Sequence, residues 1–149
     1  MNLRGRWWLA VSMVVGLALV AASCGGDDAP DVDAADGSVS AALADYSITL
    51  NQSSAPEGDV LFEVTNHAEQ VHEFVVLKTD LAEDALPTDE NGDVDEAGDP
   101  GIEIMGEIED IEGGTSQSLT LGLDAGSYAL ICNLPGHYAE GMHTDFTVE

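Results

Sequence analysis

From Asp45 to the carboxy-terminus, apolar residues recur at alternate positions in runs too short for helices, and that rhythm leaves little choice of fold. Tyr46, Ile48 and Leu50 share one face of a first expected strand. Residues 60–65 (VLFEVT) and 72–78 (HEFVVLK) supply two more, with His72, Phe74 and Val76 on the same side. Residues 118–123, 127–132 and 144–149 complete the set, and Gly, Asn and Pro punctuate the gaps. Short alternating strands split by turns predict an all-β sandwich or barrel.

Residues 80–114 break the rhythm. The stretch is acidic, contains Pro87 and Pro100, and has little periodicity, so it is expected to be a loop or short-helix insertion, with residues 81–86 (LAEDAL) as the helical candidate. Ile102, Ile104, Ile108 and Ile111 are expected to fold its second half back onto the sandwich. Asp89-Glu90-Asn91-Gly92-Asp93-Val94-Asp95 resembles a cation loop, but Val94 stands where an EF-hand requires glycine. A solvated acidic loop is the expectation.

The amino-terminal 23 residues do not belong to the folded unit. Arg4 and Arg6 precede an apolar run from position 7 to 22 that is interrupted by Ser12 alone. At 16 residues the run is short of the roughly 20 that span a bilayer as a helix. This is the build of a secretory signal. Its end, Ala21-Ala22-Ser23-Cys24-Gly25-Gly26, resembles a bacterial lipoprotein signal, which implies cleavage before Cys24 and lipid on that cysteine. The competing reading is an uncleaved helical anchor. Both put the remainder outside the cytoplasm, on the periplasmic or outer side, held to a membrane; two or more acyl chains make such a hold stable. Residues 24–44, rich in Gly, Asp, Ala and Ser, read as a flexible acidic tether, and 45–149 as the domain.

Charge narrows the partners. All 29 carboxylates fall after position 23, and Lys78 is the single Lys or Arg there. Nucleic acid and anionic lipid would repel such a surface. Two explanations stay open: a high-salt habitat that screens self-repulsion, or a partner with a basic face. With Cys24 lipidated, Cys132 has no mate for a disulfide in an oxidising compartment, and a free thiol there calls for a reason such as metal ligation.

Cys132-Asn-Leu-Pro-Gly-His137-Tyr-Ala-Glu-Gly-Met142 supplies one. A thiolate, an imidazole and a thioether follow at C-x4-H-x4-M spacing; Cys132 ends a strand, and Pro135 and Gly136 turn the chain back. His72, at the head of another strand, provides a second imidazole. Soft sulfur favours Cu(I), while imidazole also serves Cu(II), so such a set tolerates both oxidation states of copper. Structural zinc sites seldom use Met. His143, next to Met142, points to the opposite side of its strand, and His67 falls in a turn; neither is expected to ligate. Met105 is expected to pack in the interior.

The loop CNLPGHYAEGM and the upstream VHEFVV resemble the copper loop and first-ligand strand of the plastocyanin/azurin (cupredoxin) family, nearest its rusticyanin- and sulfocyanin-like bacterial members. The resemblance spans roughly residues 45–149, with 80–114 loosely matched. It implies a Greek-key β-sandwich with one copper ion at one end. His72, Cys132 and His137 would be equatorial ligands and Met142 axial. In one respect the chain departs: Glu73 stands where the family usually places an Asn that ties the copper loops together. The expected function is single-electron transfer by a type 1 (blue) copper monomer that is not an enzyme. Its partner would be a cytochrome or terminal oxidase in the same membrane. Leu134, Pro135, Tyr138, Ala139 and Gly141 would form an apolar docking collar around His137. The alternative is an extracytoplasmic copper carrier or scavenger without a redox role. A multicopper enzyme would need many histidines in His-x-His pairs; the chain has four and no such pair.

Overall fold

The computed structural model describes residues 38–96 and 100–149. The signal segment, Cys24 and the tether up to residue 37 lie outside the described residues. Nine strands make up the described chain, with no helix among the described residues: β1 (Val39–Ala44), β2 (Ser47–Leu50), β3 (Ser54–Ala55), β4 (Gly58–Asn66), β5 (His72–Lys78), β6 (Glu103–Ile111), β7 (Ser116–Leu123), β8 (Gly126–Ile131) and β9 (His143–Val148). They form two sheets, β2-β1-β4-β7 and β3-β9-β8-β5-β6, packed as the expected all-β sandwich. Pairing is antiparallel except for β1 with β4 and β3 with β9, which run parallel.

Alternation accounts for most of these strands. Val60, Phe62 and Val64 of β4 point into the core, as do Phe74 and Val76 of β5. Phe62 touches Phe74 and Phe146 with ring centroids 5.5 Å apart in both pairs, the tilted and edge-on arrangements that aromatic quadrupoles favour.

Four expectations need correction. Residues 39–44 are not tether: they form β1, between β2 and β4, with Val39, Ala41 and Leu43 buried in the core. Small alternating residues suffice there, because β4 lies alongside in parallel register from Val39↔Phe62 to Leu43↔Asn66. Tyr46 is not part of β2; it sits in the β1–β2 turn with φ of 61°. Third, the insertion ends before Glu103, since β6 is a full strand against β5. Two register shifts in that pairing spoil its period, which is why Ile108 and Ile111 are buried while Ile104 is 43% exposed. Finally, residues 81–86 form turns rather than a helix, with the Ala85 N–H bonded to the Ala82 carbonyl.

The insertion is not merely solvated. Leu86, Val94 and Ile102 close over Val75, Leu77, Ala129, Ile131 and Tyr138, a second apolar cluster on the outer face of β5 and β8. Those two strands are therefore buried on both faces, and their sequences read as near-continuous apolar runs.

Candidate metal centre

β5, β8 and β9 are neighbours in one sheet, and their ends at one pole of the sandwich carry the candidate residues. His72 opens β5, Cys132 follows the last residue of β8, and Met142 precedes the first of β9. The Cys132 N–H donates to the Met142 carbonyl at 3.0 Å, extending the β8–β9 ladder that pairs Ile131 with His143. Between them the loop doubles back. The His137 N–H bonds the Leu134 carbonyl at 2.9 Å, and the Met142 N–H bonds the His137 carbonyl at 3.1 Å. Gly136 and Gly141 turn this loop at φ of 80° and 105°, where a side chain would be strained.

Three donor atoms converge there. His72 Nδ1 lies 3.2 Å from His137 Nδ1, and Cys132 Sγ lies 3.3 Å from His137 Nδ1 and 3.9 Å from His72 Nδ1. A point in their plane is roughly 2 Å from all three, close to first-row metal bond lengths to imidazole and thiolate. His72, Cys132 and Met142 are fully buried, and His137 is half-buried. No other cluster of three or more His, Cys, Asp or Glu among the described residues closes this way. His67 is exposed, and the His143 ring packs on Tyr138, so neither joins the group, as expected.

The electrostatics suit a cation. Burial pushes the Cys132 thiol above its ordinary range; the N–H groups of Glu73 and Leu134 pull it back, and the Glu73 carboxylate pushes it up again. Burial lowers His72, the neighbouring His137 adds to that, and Asp45 opposes both. A buried thiolate is costly alone and favourable beside a metal cation, which would supply the missing positive charge. Cys132 is free of any disulfide.

Glu73 itself provides the loop clamp. Its N–H faces Cys132 Sγ at 3.4 Å, and its carboxylate accepts the Asn133 N–H at 2.7 Å. Burial raises the pKa of this carboxyl and the Asn133 N–H lowers it. Asn133 then reaches outward to the insertion. Its Oδ1 accepts the Val94 N–H at 2.7 Å, while its Nδ2 donates to the Val94 carbonyl at 3.0 Å and to Glu96 Oε1 at 2.8 Å. The Gly136 N–H bonds Asp93 Oδ1 at 2.8 Å. The acidic insertion is thus a strap fastened to the loop that carries the donors.

This strap corrects one expected docking residue. Tyr138 is 6% exposed, and its hydroxyl donates to the Glu83 carbonyl while accepting the Leu86 N–H, both at 2.9 Å. Pro135, Ala139 and Gly141 are exposed as expected, and Leu134 is half-buried against the core. Replacing Tyr138 with Phe orphans the buried Leu86 N–H and removes a partner of the part-buried Glu83 carbonyl, and should cost about 1–2 kcal/mol. Denaturant unfolding would measure that loss, and faster hydrogen exchange at the Leu86 amide would localise it.

Sequence reasoning missed Asn133, and it missed the turn at Asp45 and Tyr46. The Tyr46 ring stands edge-on to His137 with centroids 5.3 Å apart, and Asp45 Oδ1 lies 3.6 Å from His72 Nε2. No local sequence signal marks a turn residue as a neighbour of a histidine 27 positions further on.

No family model matches the chain, and no curated protein does. Solved structures do. Reduced auracyanin from the photosynthetic bacterium Roseiflexus castenholzii superposes with a TM-score of 0.56 at 21% identity, over 78% of this chain and 99% of that one. Auracyanin A, a "blue" copper protein from the green thermophilic photosynthetic bacterium Chloroflexus aurantiacus, gives 0.51 at 21%, over 76% and 100%. Reduced rusticyanin gives 0.52 at 18%, over 78% and 82%. What these proteins share with the chain is the two-sheet sandwich.

Proposed function

We propose that this chain, folded as a cupredoxin, is a type 1 (blue) copper protein that carries single electrons. One observation bears most of the weight: two imidazole Nδ1 atoms and a cysteine sulfur meet within 3.2–3.9 Å in a buried pocket at the end of a sandwich. His72, Cys132 and His137 would hold one copper ion, and the buried Met142 beside them would offer a weaker thioether donor. Copper, when bound, supplies the Cu(I)/Cu(II) couple. The chain's contribution is rigidity: strand ends, two turn glycines, the Glu73 clamp and the Asn133 strap hold the donors in one arrangement. Auracyanin A is itself a blue copper protein, which agrees with the reading.

A copper carrier or scavenger would use the same donors. It is disfavoured because His72, Cys132 and Met142 are fully buried, whereas rapid handover of a metal needs exposed, exchangeable ligands. The test is a visible absorption and EPR spectrum of the full chain with Cu(II). An intense thiolate-to-copper band that a mild reductant bleaches reversibly supports electron transfer. A colourless copper complex with a type 2 EPR signal would overturn it in favour of the carrier.

The half-buried His137 edge is the proposed exit for the electron. It lies in a shallow hollow with Tyr46, Gln70, Pro135, Gly136 and Glu140. The proposed partner is a redox protein, a cytochrome or terminal oxidase, docking here through a small, short-lived interface. The net charge of −26 supports a basic face on that partner. The proposed site of action is extracytoplasmic, at a membrane to which lipid on Cys24 tethers the domain; the support is the signal-like amino-terminus. Pro135→Lys, which sets a positive charge against that basic face at an exposed position beside His137, should slow electron exchange with the partner about tenfold and leave the absorption band unchanged. Stopped-flow measurement of an unaltered rate would remove this docking site.

A further inference from the structure

The two ring nitrogens of His72 face different surroundings. Nδ1 looks toward Cys132 and His137, whereas Nε2 is buried and lacks a hydrogen-bond partner among the described residues. A buried polar nitrogen is rarely left alone in a native structure. A carboxylate oxygen, Asp45 Oδ1, stands 3.6 Å away, slightly beyond bonding distance. Asp45 sits in the β1–β2 turn, where it also accepts from Gln70 Nε2 at 3.2 Å, a bond that ties the turn to the connection leading into β5. Its neighbour Tyr46 holds a φ of 61°, unusual for a residue with a Cβ, and stands edge-on to His137. One two-residue turn therefore reaches both histidines of the centre.

We infer that Asp45 is a positioning residue of the metal centre: its carboxylate accepts a hydrogen bond from the Nε2–H of His72, which fixes the proton on that nitrogen and leaves Nδ1 as the lone-pair donor facing Cys132 and His137. The inference rests on the type 1 copper reading above. A histidine with its second nitrogen bonded to a carboxylate is fixed in tautomer and ring orientation and becomes a more basic ligand. The carboxylate charge also favours the more positive oxidation state of the centre. Asp45 is 55% exposed in its side chain, so solvent screens part of that charge, and the effect belongs at the lower end for outer-shell partners.

The experiment compares Asp45→Ala, Asp45→Asn and Asp124→Asn in the full copper-loaded chain. Asp124 is a suitable control because it lies beside Lys78, at the opposite end of β5 from His72. Asp45→Ala should keep the blue band but lower the ratio of Cu(II) to Cu(I) affinity roughly tenfold, the lower end for outer-shell partners. For a one-electron couple that is a rise in reduction potential of about 59 mV. Asp45→Asn, which keeps an acceptor without the charge, should fall between Asp45→Ala and the parent chain. Asp124→Asn should leave the ratio unchanged, because that carboxylate is remote and screened. In the metal-free parent, long-range proton–nitrogen NMR should find the His72 proton on Nε2, and Asp45→Ala should give a tautomer mixture. Equal potentials in Asp45→Ala and Asp124→Asn, with both proteins blue, would overturn the inference and leave the copper reading intact. A parent chain with no blue band would remove the copper reading and this inference with it.

Discussion

Exchanging Cys132 for Ser is expected to abolish the thiolate-to-copper absorption completely and to reduce Cu(I) affinity by at least about 100-fold, the upper end of what outer-shell changes alone cause. The oxygen is hard where the sulfur is soft, so Cu(I) loses its preferred ligand while the two imidazoles remain. The fold itself should survive. Ser is smaller than Cys, and the site is closed by β8, β9 and the core rather than by the sulfur. The metal-free variant should nevertheless lose about 1–3 kcal/mol, because a buried hydroxyl replaces a group that behaves largely as a hydrophobe. Thermal melts with and without copper would separate the two effects. The parent chain should gain stability on adding metal, since a ligand that binds only the native state shifts unfolding by mass action. The variant should gain little. A Cys132→Ser protein that keeps an intense blue band would exclude Cys132 as a ligand.

Asn133→Ala should be the most damaging change outside the donor set. The side chain satisfies the Val94 N–H, the Val94 carbonyl and the Glu96 carboxylate, and Val94 is 5% exposed. Removing the amide leaves the Val94 N–H without a partner, while the Val94 carbonyl keeps the Glu96 N–H at 3.0 Å, at a cost of about 1–3 kcal/mol. The loss should be local. Residues 86–94 should exchange their amide hydrogens much faster, while the strands of the first sheet keep their protection. The strap also covers Ile131 and Tyr138, which flank Cys132 and His137, so the copper band should broaden as the donor loop loosens. A variant within about 0.5 kcal/mol of the parent, the range of an ordinary surface substitution, would show that the strap is not held by this residue.

These two expectations differ in how early they could be seen. Cys132 stands out in the bare sequence because sulfur, imidazole and thioether recur at a spacing few core requirements would produce. Asn133 is its immediate neighbour and carries no such mark. Its partners are 37 and 39 residues away, across an insertion whose acidity reads as solvation. Tyr138 misled for the same reason: in a loop beside His137 it looks like a docking aromatic, and only the insertion's return shows that it is an anchor. Glu73 was legible as a departure from the expected Asn, but not as the group that restores the clamp.

Alternation with period two determined that this chain would be a sandwich of short strands, since one face of each strand must be buried and no long helical stripe competes. Ligand chemistry at close spacing determined the metal-binding loop, and the structure brings His72, Cys132 and His137 together as that reading required. Tertiary structure alone decided the rest. It recruited residues 39–44 into β1 by parallel pairing with β4, buried β5 and β8 on both faces beneath the strap, and set the Asp45–Tyr46 turn against both histidines. Such contacts join residues distant along the chain, whose partners are chosen by the packing of the finished fold rather than by any local pattern.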